Sequence, residues 1–131
     1  MIIETRIVTF KEDALQEALQ VYQSKFPEKF PEGALQGARV TRTHPPTVVV
    51  EVESASGRRQ LSRVEFREAE IAAILIHYCR THRIPLPRAA SKRLDVEEGN
   101  ICLILTKALQ PPLAHLAPLV PLAPEGEPAA S

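Results

Sequence analysis

The sequence predicts an α+β domain of two tandem β-α-β-β units, forming a mostly antiparallel sheet packed by two helices and followed by a proline-rich C-terminal tail. Three observations point there. The chain matches itself at an offset of 56, which lays Phe10-Lys11-Glu12 on Phe66-Arg67-Glu68 and Leu15, Ala18, Leu19, Tyr22 on Ile71, Ile74, Leu75, Tyr78. Runs rich in Ile, Val and Thr, with side chains alternating between apolar and polar, mark strands. Between them lie stretches with apolar residues at helical spacing.

The elements follow in order. Ile2–Phe10 has the composition of a strand. Thr9 stands three residues before Glu12, the spacing of a capping box, and so predicts the start of a helix. Apolar residues at 14, 15, 18, 19, 22 and 26 carry that helix until Pro27 and Pro31 stop it. Ala38–Thr43 and Thr47–Ser54 read as two strands joined through Pro45-Pro46, with Val48, Val50 and Val52 on one face and Glu51 and Glu53 on the other. Gly57 separates the units. Arg59–Phe66 is then a strand, Arg67–His82 a helix, and Lys92–Val96 and Ile101–Lys107 a hairpin turning at Glu97-Glu98-Gly99-Asn100. Here the repeat offset reads as 54, with Thr47-Val48-Val49-Val50 facing Ile101-Cys102-Leu103-Ile104. The second helix, Ile71 to Cys79, is apolar on nearly every side, which places it at the centre of the domain or against a second subunit. The last strand is apolar on both faces and so belongs in the middle of a sheet; the pattern as a whole suggests one sheet of six strands.

These signals delimit one domain over residues 1–107, with units 1–54 and 58–107, and a tail over 108–131. The tail holds prolines at 111, 112, 118, 121, 124 and 128. Leucines at 113, 116, 119 and 122 recur every third residue, the period of a polyproline II helix, so they would share one edge. Two readings stay open for it: a disordered extension, or a leucine-lined strip that packs on its own domain or on a partner.

Charge is balanced overall, with sixteen basic and sixteen acidic residues, but it is not evenly spread. Residues 57–93 carry nine basic and three acidic side chains, and acidic ends flank them. Met1-Ile2-Ile3-Glu4-Thr5-Arg6 lacks the features of a signal peptide, and no run of apolar residues is long enough to span a membrane, so a cytoplasmic location is expected. Cys79 and Cys102 sit in apolar runs and read as buried, reduced thiols.

The search for catalysis is negative. Five glycines cannot supply a dinucleotide-binding or phosphate-binding loop, and there is no nucleophile elbow. His77 and His82, five positions apart, share a helix face poorly, so no metal site and no cofactor are expected. The remaining constellation is basic: Arg80, His82, Arg83, Arg88, Lys92 and Arg93. Two of these need no ligand, because a helix C-terminus favours cations. The corresponding stretch of unit one holds Lys29 with Glu28 and Glu32, so the fold itself does not require the charge. The expected function is that of a small non-enzymatic binding or adaptor domain, self-associating as a homodimer or meeting an acidic protein with this patch. One alternative is a nucleic-acid-binding protein using segment 80–93, although the aromatic residues read as core rather than as stacking platforms. Another is an enzyme with a dispersed site.

Overall fold

A computed structural model describes residues 1–54 and 60–109. Gly57, Arg59 and the tail from 110 onward lie outside the described residues. The elements run β1 (Ile2–Phe10), α1 (Glu12–Lys25), one 3₁₀ turn (Pro27–Lys29), β2 (Ala34–Thr43), β3 (Pro46–Ser54), β4 (Gln60–Phe66), α2 (Glu68–Thr81), β5 (Ser91–Glu97) and β6 (Asn100–Leu109). The β-α-β-β order therefore occurs twice, and the α+β class holds.

The strands form two antiparallel three-stranded sheets, ordered β2-β3-β4 and β1-β6-β5, rather than one sheet of six. The reason is an exchange. β1 leaves the hairpin of its own unit and pairs with β6 of the second, while β4 pairs with β3 of the first. Each sheet thus combines a hairpin from one unit with the first strand of the other. β6 lies in the middle of its sheet, as its two apolar faces require, and β3 has the same place in the other.

Both sheets turn one face to a shared core. Val48, Val50 and Val52 of β3 and Ile101, Leu103 and Leu105 of β6 are buried there with Leu15, Leu19, Ile71, Ile74 and Leu75 of the two helices. A fully buried aliphatic side chain contributes about 1.5–3 kcal/mol before the entropy of ordering it is subtracted. The register corrects the repeat at its end. Phe10 pairs with Ile101 and Phe66 pairs with Val48, so Val48 corresponds to Ile101. The offset there is 53, not 54. One residue matters because side chains alternate along a strand; a slip by one would set core Val48 on outward-facing Cys102.

Helix starts differ from expectation at α1. Thr9 remains in β1, where it pairs with Cys102, and the N-cap is Lys11 with no side-chain cap. Strand pairing through Phe10 outweighs the local capping pattern. At α2 the reciprocal contact does form: Glu70 Oε1 accepts a hydrogen bond from the Arg67 backbone N–H at 3.0 Å. Among the described residues no helix is long and apolar enough to cross a membrane.

Candidate functional site

The basic segment begins where α2 ends. Ile84 N–H donates to Cys79 O at 2.7 Å and Arg83 N–H to Arg80 O at 3.2 Å, the hydrogen-bond pair of a Schellman motif. That motif needs a left-handed residue just past the helix, and Arg83 takes it with φ 57°. Glycine is the usual occupant, because a Cβ is disfavoured in that conformation. The following loop runs over the inner-face end of the β1-β6-β5 sheet. The guanidinium of Arg6, on β1, donates to the carbonyl of Pro85 and ties the loop down.

The sheet register then decides which cations share a surface. Arg6 and Lys92 pair with Leu105 from its two sides, so all three point to the inner face. Lys107 lies two residues further along β6 and pairs with Glu4. A narrow cleft of about 40 Å³ opens among Glu4, Arg6, Pro87, Ala90, Leu105 and Lys107, room for about one water molecule. Lys92 Nζ also donates to Ala90 O at 3.3 Å.

The six expected site residues are therefore not one cluster. Lys92 lies at this end of the domain with the loop that carries Arg88. Arg80 and Arg83 flank the helix C-terminus leading into it. Arg93 follows Lys92 in the strand and so projects to the opposite face, beside Ile104. His82 is engaged elsewhere: its Nε2 lies 3.4 Å from Glu17 Oε2 and its ring stacks on Tyr78 at 4.0 Å. Arg6 and Lys107 belong with the group but come from distant strands. Sequence proximity could not have found them, because a separation of 79 positions, from Arg6 to Pro85, is closed by one hydrogen bond.

Arg80, Arg83, Arg88, Lys92 and Arg93 are all exposed. Among the described residues Arg63 pairs with Glu51 at 3.1 Å and His82 lies beside Glu17, and neither contact involves these five cations. Arg63 and Glu51 show by contrast what a self-satisfied pair looks like in this fold. The charge of the basic segment is thus not taken up by carboxylates of the described domain.

Cys79 and His77 are held by packing. Cys79 is completely buried, and burial pushes its thiol above the usual value, with Arg6 pulling it back less strongly. His77 packs edge-on against Tyr22 and Phe26 at 5.7 and 5.8 Å. Among the described residues no three His, Cys, Asp or Glu side chains gather as metal ligands. A larger open groove of about 400 Å³ runs between the β2–β3 turn and the start of α2, lined by Arg42, Thr47, Glu65, Arg67 and Glu68. Its basic and acidic side chains are mixed and include no His or Cys. In comparison with known proteins, no family model, no curated sequence and no solved structure matches the chain.

Proposed function

We propose that the chain is a small non-enzymatic binding domain that recognises an acidic protein segment with the basic surface between the end of α2 and the start of β5. The observation that carries this reading is the set of exposed cations without a carboxylate partner among the described residues. Two features support it. Arg83 occupies a left-handed position suited to glycine, and a residue held against its own backbone preference is expected at functional sites. Arg6, Lys92 and Lys107 add three cations at the same end, against the single carboxylate of Glu4.

The test is titration of the full chain with a short polyglutamate peptide at several salt concentrations. Binding should weaken as salt rises, since exposed charges are screened. Replacing Arg83, Arg88 and Lys92 together by Ala should weaken it about tenfold, from three contacts each worth a fraction of a kcal/mol to one kcal/mol. Arg93→Ala, on the opposite face, should weaken it far less. No binding by the wild type at low salt would overturn the reading. A single-stranded oligonucleotide binding much more tightly than polyglutamate would replace it with the nucleic-acid alternative.

A further inference from the structure

The two sheets have matching inner faces and unlike outer faces. On the β2-β3-β4 sheet, Arg63 and Glu51 stand opposite each other across β4 and β3 and form an ion pair, and Glu53 and Glu65 share that surface. The equivalent pair on the β1-β6-β5 sheet is Ile7 opposite Ile104. Along β1 and β6 the outward residues carry no charge at all: Ile3, Thr5 and Ile7 on one strand, Cys102, Ile104 and Thr106 on the other. Ile104 and Cys102 form a floor between the strands, 5% and 2% exposed, while Ile3 and Ile7 stand 61% and 56% exposed beside it. Neither Cys102 nor Ile104 belongs to the shared core. A strand with one solvent-facing side normally alternates apolar with polar, as β3 does with Glu51 and Glu53; β6 is apolar and buried on both sides from Ile101 to Leu105.

We infer that this outer face is the seat of the chain's own segment 110–124. The segment leaves β6 at Leu109, which pairs with Ile2 at the corner of that sheet, one residue past the outward-facing pair Ile3 and Ala108. Pro111 and Pro112 lack the N–H groups that would continue the ladder. Residues 108–124 hold no Asp, Glu, Lys or Arg, matching a face that holds none on β1 and β6, and charge resumes only at Glu125. Leu113, Leu116, Leu119 and Leu122 recur every third residue, so in a polyproline II helix they would share one edge and span about 28 Å at about 3.1 Å per residue. The outer row of β6 from Ala108 back to Cys102 measures about 20 Å at about 3.4 Å per residue, so the strip is long enough to cover it. Arg93 and Asp95 of β5 rim the face on its far side.

The test uses the full chain at low concentration, with methyl NOEs and backbone relaxation. The wild type should show cross-peaks from the methyls of Ile3, Ile7 and Ile104 to those of the tail leucines, and slowed tail amides. Leu116→Asp with Leu119→Asp should abolish both. So should Ile7→Arg with Ile104→Glu, which imports the ion pair of the other sheet and so keeps the strands paired. Tail amides as mobile in the wild type as in these variants would overturn the inference. Cross-peaks that arise only between differently labelled molecules, and grow with concentration, would also overturn it, assigning the face to a second copy.

Discussion

The ring of Phe10 lies 5.8 Å from that of Tyr78, edge to face at 72°. Phe10 ends the first strand of unit one, and Tyr78 is on the helix of unit two. The mirrored connection runs from Tyr22 of unit one through Phe30 to Phe66 of unit two, at 6.4 and 5.2 Å. The units are therefore interlocked rather than merely adjacent. Separate chains of residues 1–56 and 57–131 should each lack a strand for their hairpin and show little cooperative unfolding. Mixed in equal amounts, they should associate and recover the helical circular dichroism of the intact protein. Either half unfolding cooperatively by itself, with full helix content, would contradict the exchange.

The exchange also marks the limit of what the sequence discloses. Both helices, all six strands and the centrality of β6 are legible in periodicity and composition. Strand partnership is not, because β1 could meet either hairpin with the same alternation of side chains. The repeat register is ambiguous for a related reason: Val48 sets equally well on Ile101 or Cys102 by hydrophobicity, and only the pairing of Phe10 and Phe66 decides. In the basic segment, Arg83 and Lys92 are visible in the sequence as charges, whereas Arg6 and Lys107 join them only through the sheet.

Leu75 is fully buried in α2 among residues of both sheets and of α1. Leu75→Ala should cost about 2–5 kcal/mol, the range for emptying a core leucine site. Leu75→Asp should abolish folding, because a buried carboxylate there has no partner. Urea denaturation followed by circular dichroism measures both. A loss below about 1 kcal/mol for the alanine variant would mean that α2 is not central.

Two glycines separate backbone need from tolerance. Gly33 has φ 138°, and a Cβ there would stand 2.2 Å from the carbonyl oxygen of Glu53. Its own carbonyl accepts from Gln23 Nε2 at 3.2 Å, which anchors the end of α1 to the start of β2. Gly33→Ala should cost at least the roughly 1–3 kcal/mol of the backbone strain. Gly37 meets nothing within 4 Å and has no positive φ, so Gly37→Ala should be neutral or slightly stabilising. Equal effects of the two, read from denaturation midpoints, would contradict the β2–β3 geometry.

Alkali should destabilise the domain through two groups. Burial holds the Tyr78 phenol above its usual 10.0, with the Glu17 carboxylate adding to it, and burial raises the Cys79 thiol above 9.0. Each binds its proton more tightly folded than unfolded. The stability they confer is full below the unfolded values and is lost as pH rises through the folded ones. Stability should therefore begin to fall above about pH 9, the thiol's unfolded value. Cys79→Ala should lower stability throughout yet remove the first part of the decline, and Tyr78→Phe the later part. An unchanged alkaline slope in both variants would sink the assignment.

Arg83 tests whether the basic segment serves folding or binding. Its left-handed backbone costs a non-glycine residue about 1–2 kcal/mol, and its backbone N–H group, not its guanidinium, makes the helix-ending bond. Glycine at this site regains that cost but adds freedom to the unfolded chain, an opposing effect of about 0.5–1 kcal/mol. Arg83→Gly should thus leave stability unchanged or raise it by up to about 1 kcal/mol, as the denaturation midpoint reports. The same variant should bind polyglutamate a few-fold more weakly, since one exposed contact is worth a fraction of a kcal/mol to one kcal/mol. Opposite movement of the two measurements identifies a side chain retained for its ligand. A clear loss of stability with unchanged binding would assign Arg83 to the fold and leave Arg6, Arg88 and Lys92 to carry recognition.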